Sequence, residues 1–207
     1  MRYDSLIFDI DGTLWDSRSL VAAGYNKQLQ QEGLERFSVD EEQLRGLFGR
    51  VLPEIADILF GELPEEERVP LIHRCTATQD RLLHEDPCHI GYPQVRETLE
   101  ALSKKYRLFI VSNSELGYPE LCMEKLGLEG LIEDHLCFGD THTSKGQTIR
   151  TLMQRNGIQD PVYIGDTQGD YEATLEAGIP FIWASYGFGQ PEHWDQKIQA
   201  ISDLINL

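Results

Sequence analysis

Near the start of the chain the sequence reads Leu6-Ile7-Phe8-Asp9-Ile10-Asp11-Gly12-Thr13-Leu14, an apolar run that ends in two carboxylates one residue apart. Side chains alternate between the two faces of an extended strand, so Asp9 and Asp11 leave the strand end on the same side, about 6–7 Å apart. Gly12 permits a tight turn whose backbone N–H groups point back toward the two acids. The stretch therefore predicts a strand end with two acids directed at one point, where the turn could hold an anion or a metal-bound oxyanion.

The size and composition of the chain are those of a globular protein. Its 207 residues, 41% of them hydrophobic, allow one full domain plus a small insert. Apolar runs fall short of the ~18–20 residues that a transmembrane helix needs, and the first residues lead straight into a strand rather than a signal peptide. The four cysteines are widely spaced without a C-x-x-C pair, which predicts reduced structural thiols: Cys75, Cys88, Cys122 and Cys137. We expect a cytoplasmic protein.

The chain is strongly acidic. Thirty-five Asp and Glu residues against eighteen Lys and Arg residues give a formal net charge of −17. Such a charge repels nucleic-acid backbones and anionic membrane surfaces at long range, so neither is expected as a partner. It would also repel small phosphorylated metabolites. Any phosphate site must therefore be made locally positive by a metal and a few placed cations.

The alternation of apolar runs with helical patterns predicts an α/β core. Continuous apolar runs, as expected of parallel strands covered on both faces, occur at residues 5–9, 106–111, 161–165 and 180–184, with a weaker one at 135–138. The helical patterns between them end in glycine or basic residues. This alternation predicts a Rossmann-like doubly wound parallel sheet.

One part of the chain departs from this alternation. Residues 15–86 contain helical stripes only, such as Val21, Tyr25 and Leu29 at i+4 spacing. We therefore expect a separate helical bundle at 15–86, inserted between two parts of the core at 1–14 and 87–207. The Pro- and Gly-containing segment 86–93 is suited to a hinge.

Three further segments place polar or charged side chains at predicted strand ends or helix starts. Ser112 and Asn113 follow the second strand, Lys145 stands at a helix start, and Asp166 and Asp170 follow a buried strand. Each has an ordinary alternative: Ser and Asn are common in turns, a lysine is usually solvated, and Asp170 could cap the next helix. However, a cation at a helix start and two crowded acids both favour a local partner of opposite charge.

Taken in order, the four segments resemble the four motifs of the haloacid dehalogenase (HAD) superfamily of phosphohydrolases. The D-x-D-G-T segment begins at Asp9, and the G-D-T-x-x-D segment ends at Asp170. The helical insert resembles a type 1 cap, and the layout is similar to the phosphoglycolate phosphatase-like group. The resemblance implies a Mg²⁺-dependent phosphatase that hydrolyses a small phosphorylated metabolite through an aspartyl-phosphate intermediate.

The same resemblance implies roles for the two acids of the first motif and for the metal ligands. Asp9 would be the nucleophile, and Asp11 would protonate the leaving alcohol and later deprotonate the attacking water. Asp9, Asp11 through its backbone carbonyl, and Asp166 would hold Mg²⁺, with Asp170 acting directly or through a water.

The remaining roles concern the phosphate and the substrate. By the resemblance, Ser112 would hold a phosphoryl oxygen with Asn113 as a secondary donor, and Lys145 would neutralise the nucleophile and the transferring group. In the predicted cap, Arg50 is our candidate for substrate binding, because Gly46 and Gly49 permit a bent loop there. The alternative is a short amphipathic helix with solvated arginines.

Other functions stay open at this point. A sugar phosphomutase of the same fold shares these motifs, and a non-catalytic module could keep the fold to sense a phosphorylated ligand. Dehalogenases of the superfamily lack an acid at the position of Asp11 and need no metal, so Asp11 and Asp166 argue against that branch. Gly146 stands where relatives usually have proline, and Ser114 where they often have lysine or a small polar residue. The sequence is compatible with a monomer or a homodimer.

Overall fold

A computed structural model of the chain describes residues 3–85, 87 and 90–207. Contacts between residues divide it into two compact units. The first comprises Met1–Asp16 and His89–Leu207, and the second is Ser17–Cys88. The proposed cap at 15–86 corresponds closely to the second unit, but its action as a cap stays a prediction. Cys88 and part of the proposed hinge at 86–93 lie outside the described residues.

The first unit is built on a parallel sheet. Its strands are β1 (Ser5–Phe8), β2 (Arg107–Ser112), β3 (Asp134–Cys137), β4 (Pro161–Gly165), β5 (Phe181–Ala184) and β6 (Gln196–Ile198). They lie in the order β3-β2-β1-β4-β5-β6, and every neighbouring pair is parallel. The predicted Rossmann-like α/β fold is confirmed. β6 was not predicted, because only one of its three residues is buried and it therefore has no apolar run.

In the first unit the described α-helices lie between successive strands from β1 to β5, with two of them between β3 and β4, and in the second unit no strand is described. They are α1 (Arg18–Gln31), α2 (Glu41–Arg45), α3 (Leu52–Phe60), α4 (Glu65–Glu85), α5 (Val95–Leu102), α6 (Tyr118–Leu126), α7 (Phe138–Thr141), α8 (Lys145–Asn156) and α9 (Gln168–Ala177). The glycine ends predicted for α6, α8 and α9 are present. Among the described residues, no helix is both long and apolar enough to cross a bilayer.

The second unit is a small helical bundle with its own apolar core. The predicted stripe of Val21, Tyr25 and Leu29 is buried in it. Helices α1 and α4 approach closely at Gly24, where a Cβ atom would lie 2.5 Å from the Cα atom of Gln79. Since that atom belongs to the backbone, only glycine fits without moving a helix.

The strand order places the ends of β1 and β4 at a special point of the sheet. β2 and β3 extend from one side of β1, whereas β4, β5 and β6 extend from the other. The connections therefore reverse direction between β1 and β4, and open α/β sheets bind ligands beyond the carboxyl ends of the strands at such a switch point. Asp9 directly follows β1, and Asp166 directly follows β4. The two acids are thus brought together by topology.

Candidate active site

Three carboxylates and one ammonium group form a buried cluster at this switch point. Asp9, Asp166 and Asp170 are 3%, 0% and 1% exposed, and each offers an oxygen within 4.8 Å of the other two. Lys145, the first residue of α8, donates from Nζ to Asp9 Oδ1 at 2.8 Å and to Asp170 Oδ1 at 2.5 Å. The structure therefore gathers four of the predicted residues from three separate segments.

Burial and the crowding of like charges shift the pKa values in the cluster. Burial raises the pKa of Asp9 to about 7, with Asp170 and Asp11 adding to the shift and Lys145 opposing it. Burial and the neighbouring carboxylates raise the pKa of Asp166 well above its usual range. Burial also acts on Asp170, but Lys145 and hydrogen bonds from Thr167 outweigh it and lower its pKa. One lysine thus faces three acids, and the surplus negative charge favours a bound cation.

One oxygen of Asp166 indicates where a cation would bind. Asp166 Oδ2 accepts a hydrogen bond from the Phe188 backbone N–H at 2.7 Å. Oδ1 is buried and has no hydrogen-bond partner among the residues that the structure describes. Leaving a buried acceptor unpaired costs about 1–3 kcal/mol, and the cost is larger when the group is charged. Carboxylate oxygens are the ligands that hard divalent cations prefer. The donor set therefore fits a metal ion.

Asp170 stabilises the start of α9, but not as the N-cap that the sequence left open. Its Oδ2 accepts from the backbone N–H of Asp166 at 3.1 Å and from the N–H and hydroxyl of Thr167 at 2.9 and 2.8 Å. Thr167 is the N-cap of α9, and Asp170, the third residue of that helix, completes the capping box. Since Oδ1 accepts from Lys145, Asp170 connects the start of α9 to the lysine.

The other residues of the predicted motifs lie at the same edge of the sheet. Asp11 follows β1, and its Oδ1 accepts hydrogen bonds from Trp15 Nε1 and from the Tyr118 hydroxyl, both at 2.9 Å. Ser112 ends β2, the neighbour of β1, and its Oγ accepts from the Ser114 backbone N–H at 3.2 Å. Asn113 follows directly. The polar ends of β1, β2 and β4 are therefore neighbours.

Arg50 belongs to the other unit of the chain. It follows the turn at residues 46–49, and its Nη1 lies 3.7 Å from Glu54 Oε2. Both side chains are at least half exposed, at 50% and 58%. The predicted bend is present, with Gly49 at φ 87°. A role for Arg50 in binding substrate stays a prediction.

Sequence reasoning missed the support that the segment after β5 gives to the site. Besides the bond from Phe188 to Asp166, the Tyr186 hydroxyl donates to the Thr13 carbonyl at 2.8 Å. A Cβ atom on Gly187 would lie 2.4 Å from both Asp166 Cβ and the Gly12 carbonyl oxygen. The segment therefore packs directly against the first and fourth motifs. The glycines on either side of Phe188 were the available signal.

The departure from the family pattern at Gly146 also has a structural reason. A Cβ atom there would lie 2.5 Å from Glu176 Oε2 and 2.6 Å from Glu176 Cβ. The Glu176 carboxylate accepts from Ser144 Oγ at 2.8 Å and from Gln147 Nε2 at 2.9 Å, so it covers the first turn of α8. An acid at a helix N-terminus is favourable. Glu176 thus holds the turn that carries Lys145.

Comparisons with known proteins show the family of the chain. The sequence model of the haloacid dehalogenase-like hydrolase family matches residues 6–184. The chain belongs to this family.

Individual relatives match along nearly the whole chain. A phosphoglycolate phosphatase of Aquifex aeolicus is 29% identical over 98% of this chain and 95% of its own. A 5'-nucleotidase of Pseudomonas aeruginosa is 26% identical over 99% and 96%. A crystal structure from Haemophilus somnus 129PT, described as a predicted phosphoglycolate phosphatase, superposes with a TM-score of 0.86 at 22% identity, covering 100% of this chain and 98% of the other. The last comparison supports the fold.

Proposed function

We propose that this HAD-family protein is a Mg²⁺-dependent phosphatase that hydrolyses a small phosphomonoester through an aspartyl-phosphate intermediate. The observation that carries the proposal is the buried cluster in which Lys145 donates to Asp9 and Asp170, while one buried oxygen of Asp166 has no partner within the described part of the chain. Phosphoryl transfer depends mainly on positioning and charge neutralisation. The cluster offers both, together with a carboxylate able to act as nucleophile.

Asp9 is the proposed nucleophile. Its carboxylate attacks phosphorus, the bond from phosphorus to the leaving oxygen breaks, and the phosphoryl group is held on Asp9. Lys145 keeps Asp9 in place through its 2.8 Å hydrogen bond and offsets negative charge on the carboxylate and on the phosphoryl group. Burial of both side chains strengthens this interaction by excluding water.

Asp11, Ser112 and Asn113 complete the proposed chemistry. Asp11 protonates the leaving alcohol and then takes a proton from the water that hydrolyses the aspartyl-phosphate. Ser112 and Asn113 donate hydrogen bonds to phosphoryl oxygens from the end of β2.

The proposed Mg²⁺ ligands are the carboxylates of Asp9 and Asp166 and the backbone carbonyl of Asp11, with Asp170 acting directly or through a water. When bound, the ion supplies positive charge to the phosphoryl oxygens. The unpartnered oxygen of Asp166 supports this assignment.

The substrate class follows from the relatives and from the charge of the chain. Relatives named phosphoglycolate phosphatase and 5'-nucleotidase support a small phosphomonoester without selecting one. A net charge of −17 disfavours nucleic acids and anionic membranes. We propose that the helical unit closes over the substrate and that Arg50 binds the part beyond the phosphate. A cytoplasmic location and a monomeric or homodimeric state belong to the same proposal.

A phosphate-release screen over a panel of phosphorylated metabolites, with and without Mg²⁺, tests the function. We expect release only with Mg²⁺. Asp9→Asn should abolish turnover while leaving the melting transition cooperative, because it removes the nucleophile and keeps the shape. Asp160→Asn, the same change at an exposed position, is the matched control. Turnover that persists in Asp9→Asn would reject the covalent mechanism.

The same screen separates the alternatives. A phosphomutase would transfer the phosphoryl group between sugars and need a bisphosphate activator, whereas the proposed enzyme releases inorganic phosphate without one. A sensing module would bind Mg²⁺ and phosphate but turn over no ester.

A further inference from the structure

One oxygen of Asp11 accepts hydrogen bonds from two aromatic side chains. Trp15 Nε1 and the Tyr118 hydroxyl both donate to Oδ1 at 2.9 Å. Hydrogen bonds to a carboxylate are stronger than those between neutral groups. The carboxyl group cannot rotate about its Cβ–Cγ bond without breaking both. Its orientation is therefore determined by Trp15 and Tyr118.

The two donors are themselves held in place. The ring centroids of Trp15 and Tyr118 lie 5.4 Å apart at an interplanar angle of 73°, an edge-to-face contact, and both rings are buried. The Trp15 backbone forms bridges to Asp11 and to Gly91. Tyr118 is the first residue of α6, directly after Gly117 at φ 87°. Two distant parts of the sequence thus present their donors to the same atom.

This arrangement bears on the proton transfer assigned to Asp11. As the bond between phosphorus and the leaving oxygen breaks, its electron pair stays on that oxygen, and the proton of Asp11 moves onto it, leaving a carboxylate. Because Oδ1 already accepts two hydrogen bonds, protonating it would cost one of them. The proton therefore belongs on Oδ2, and the two donors determine which direction Oδ2 faces.

We propose that Tyr118 and Trp15 are positioning residues that hold the Asp11 carboxyl group so that Oδ2 gives its proton to the leaving alcohol. The inference rests on the proposed phosphatase function, since it concerns the residue assigned there as acid. Neither aromatic side chain needs to touch the reacting atoms.

The dependence of the rate on the leaving group tests this role. p-Nitrophenol leaves readily without a proton, whereas an alkyl alcohol needs one, so a misplaced acid affects alkyl esters selectively. Tyr118→Phe should lower kcat/KM about tenfold for the best alkyl phosphate of the metabolite screen, and less than about threefold for p-nitrophenyl phosphate. Tyr106→Phe is the matched control, since it also removes the hydroxyl of a buried tyrosine, one that donates to the Leu207 carbonyl. Equal losses on both substrates, or no loss, would overturn the proposal.

A second measurement tests the geometry without any turnover. The chain has three tryptophans, so an ¹⁵N-labelled sample gives three indole N–H signals, and Trp15→Phe identifies the one from Trp15. We expect Asp11→Ala to move that signal upfield while those of Trp183 and Trp194 stay in place. An unmoved Trp15 signal would contradict the hydrogen bond. If wild type released no phosphate but this signal moved, the proposed function would fail and the geometry would stand.

Discussion

Replacing Lys145 by methionine removes the ammonium group from the centre of the acidic cluster while retaining a long apolar side chain. Lys145 is 6% exposed, and both of its partners, Asp9 and Asp170, are buried. Removing one partner of a buried ion pair costs about 3–5 kcal/mol, because the remaining charge stays buried without compensation. In a protein of this size 1 kcal/mol shifts Tm by about 2–4 °C. Lys145→Met should therefore lower the Tm by about 6–20 °C.

The assay is a thermal melt in the presence of EDTA near neutral pH, repeated with Mg²⁺. Lys104→Met is the matched control, because Lys104 is exposed and surface changes usually stay within about 0.5 kcal/mol. Acidification should reduce the loss in Lys145→Met, since Asp9 and Asp170 can take up protons instead of remaining as unpaired buried charges. Added Mg²⁺ should restore part of the Tm by binding the folded form only.

Phosphate release adds an independent readout for the same variant. We expect Lys145→Met to lose more than about a hundredfold in kcat, since the charge that offsets the nucleophile and the phosphoryl group is gone. A variant that melts with wild type and with Lys104→Met in EDTA would refute the reasoning, because a cluster held by a buried cation cannot lose that cation without cost.

Three further outcomes follow from the site. Because burial raises the pKa of Asp9 to about 7, the folded protein retains a proton that the unfolded chain releases, so the free energy of unfolding without metal should fall as pH rises from about 4 to about 7. Denaturant melts of wild type and Asp9→Asn in EDTA at several pH values check this. If the free energy of unfolding changed with pH in the same way in both proteins, the prediction would be contradicted. Gly187→Ala should raise the Mg²⁺ concentration for half-maximal activity about 10–100-fold, because its Cβ displaces Asp166. Gly46→Ala should not, since a Cβ there lies at an ordinary contact distance of 3.7 Å from the Gln43 carbonyl oxygen and φ is −80°. Arg50→Gln should raise KM for the preferred metabolite and leave p-nitrophenyl phosphate hydrolysis unchanged, with Arg45→Gln as its control. If Arg50→Gln and wild type had the same KM for the metabolite, Arg50 would not bind the substrate.

Most of the sheet could be predicted from the sequence because its strands are buried on both faces. Such strands need a continuous apolar run whatever their neighbours are, as in β1, β2, β4 and β5. β6 offers no such run, since its three residues pair with β5 at the edge of the sheet with one of them buried. Its existence depends on the strand beside it, and that dependence is invisible in a local pattern.

The candidate site likewise contains features that could be predicted from the sequence and features that could not. The acids of the first and fourth motifs stand directly after buried strands, so their placement at one edge follows from local pattern and parallel topology. The lone lysine could be placed because a cation is unfavourable at a helix start unless an anion is near. Of its two charged partners, Asp9 was assigned only through the family resemblance, and Asp170 was not predicted as a partner.

By itself, the sequence of this chain determined which segments are buried strands, where an all-helical insert interrupts them, and which strand ends carry carboxylates, since these features depend on residues close together in the chain. Only the tertiary structure decided what holds those carboxylates. Phe188 donates to Asp166 across 22 residues, and Tyr118 donates to Asp11 across 107. Contacts over such separations leave no periodic signal, because they arise from the packing of whole elements against one another rather than from the conformational preference of any one of them.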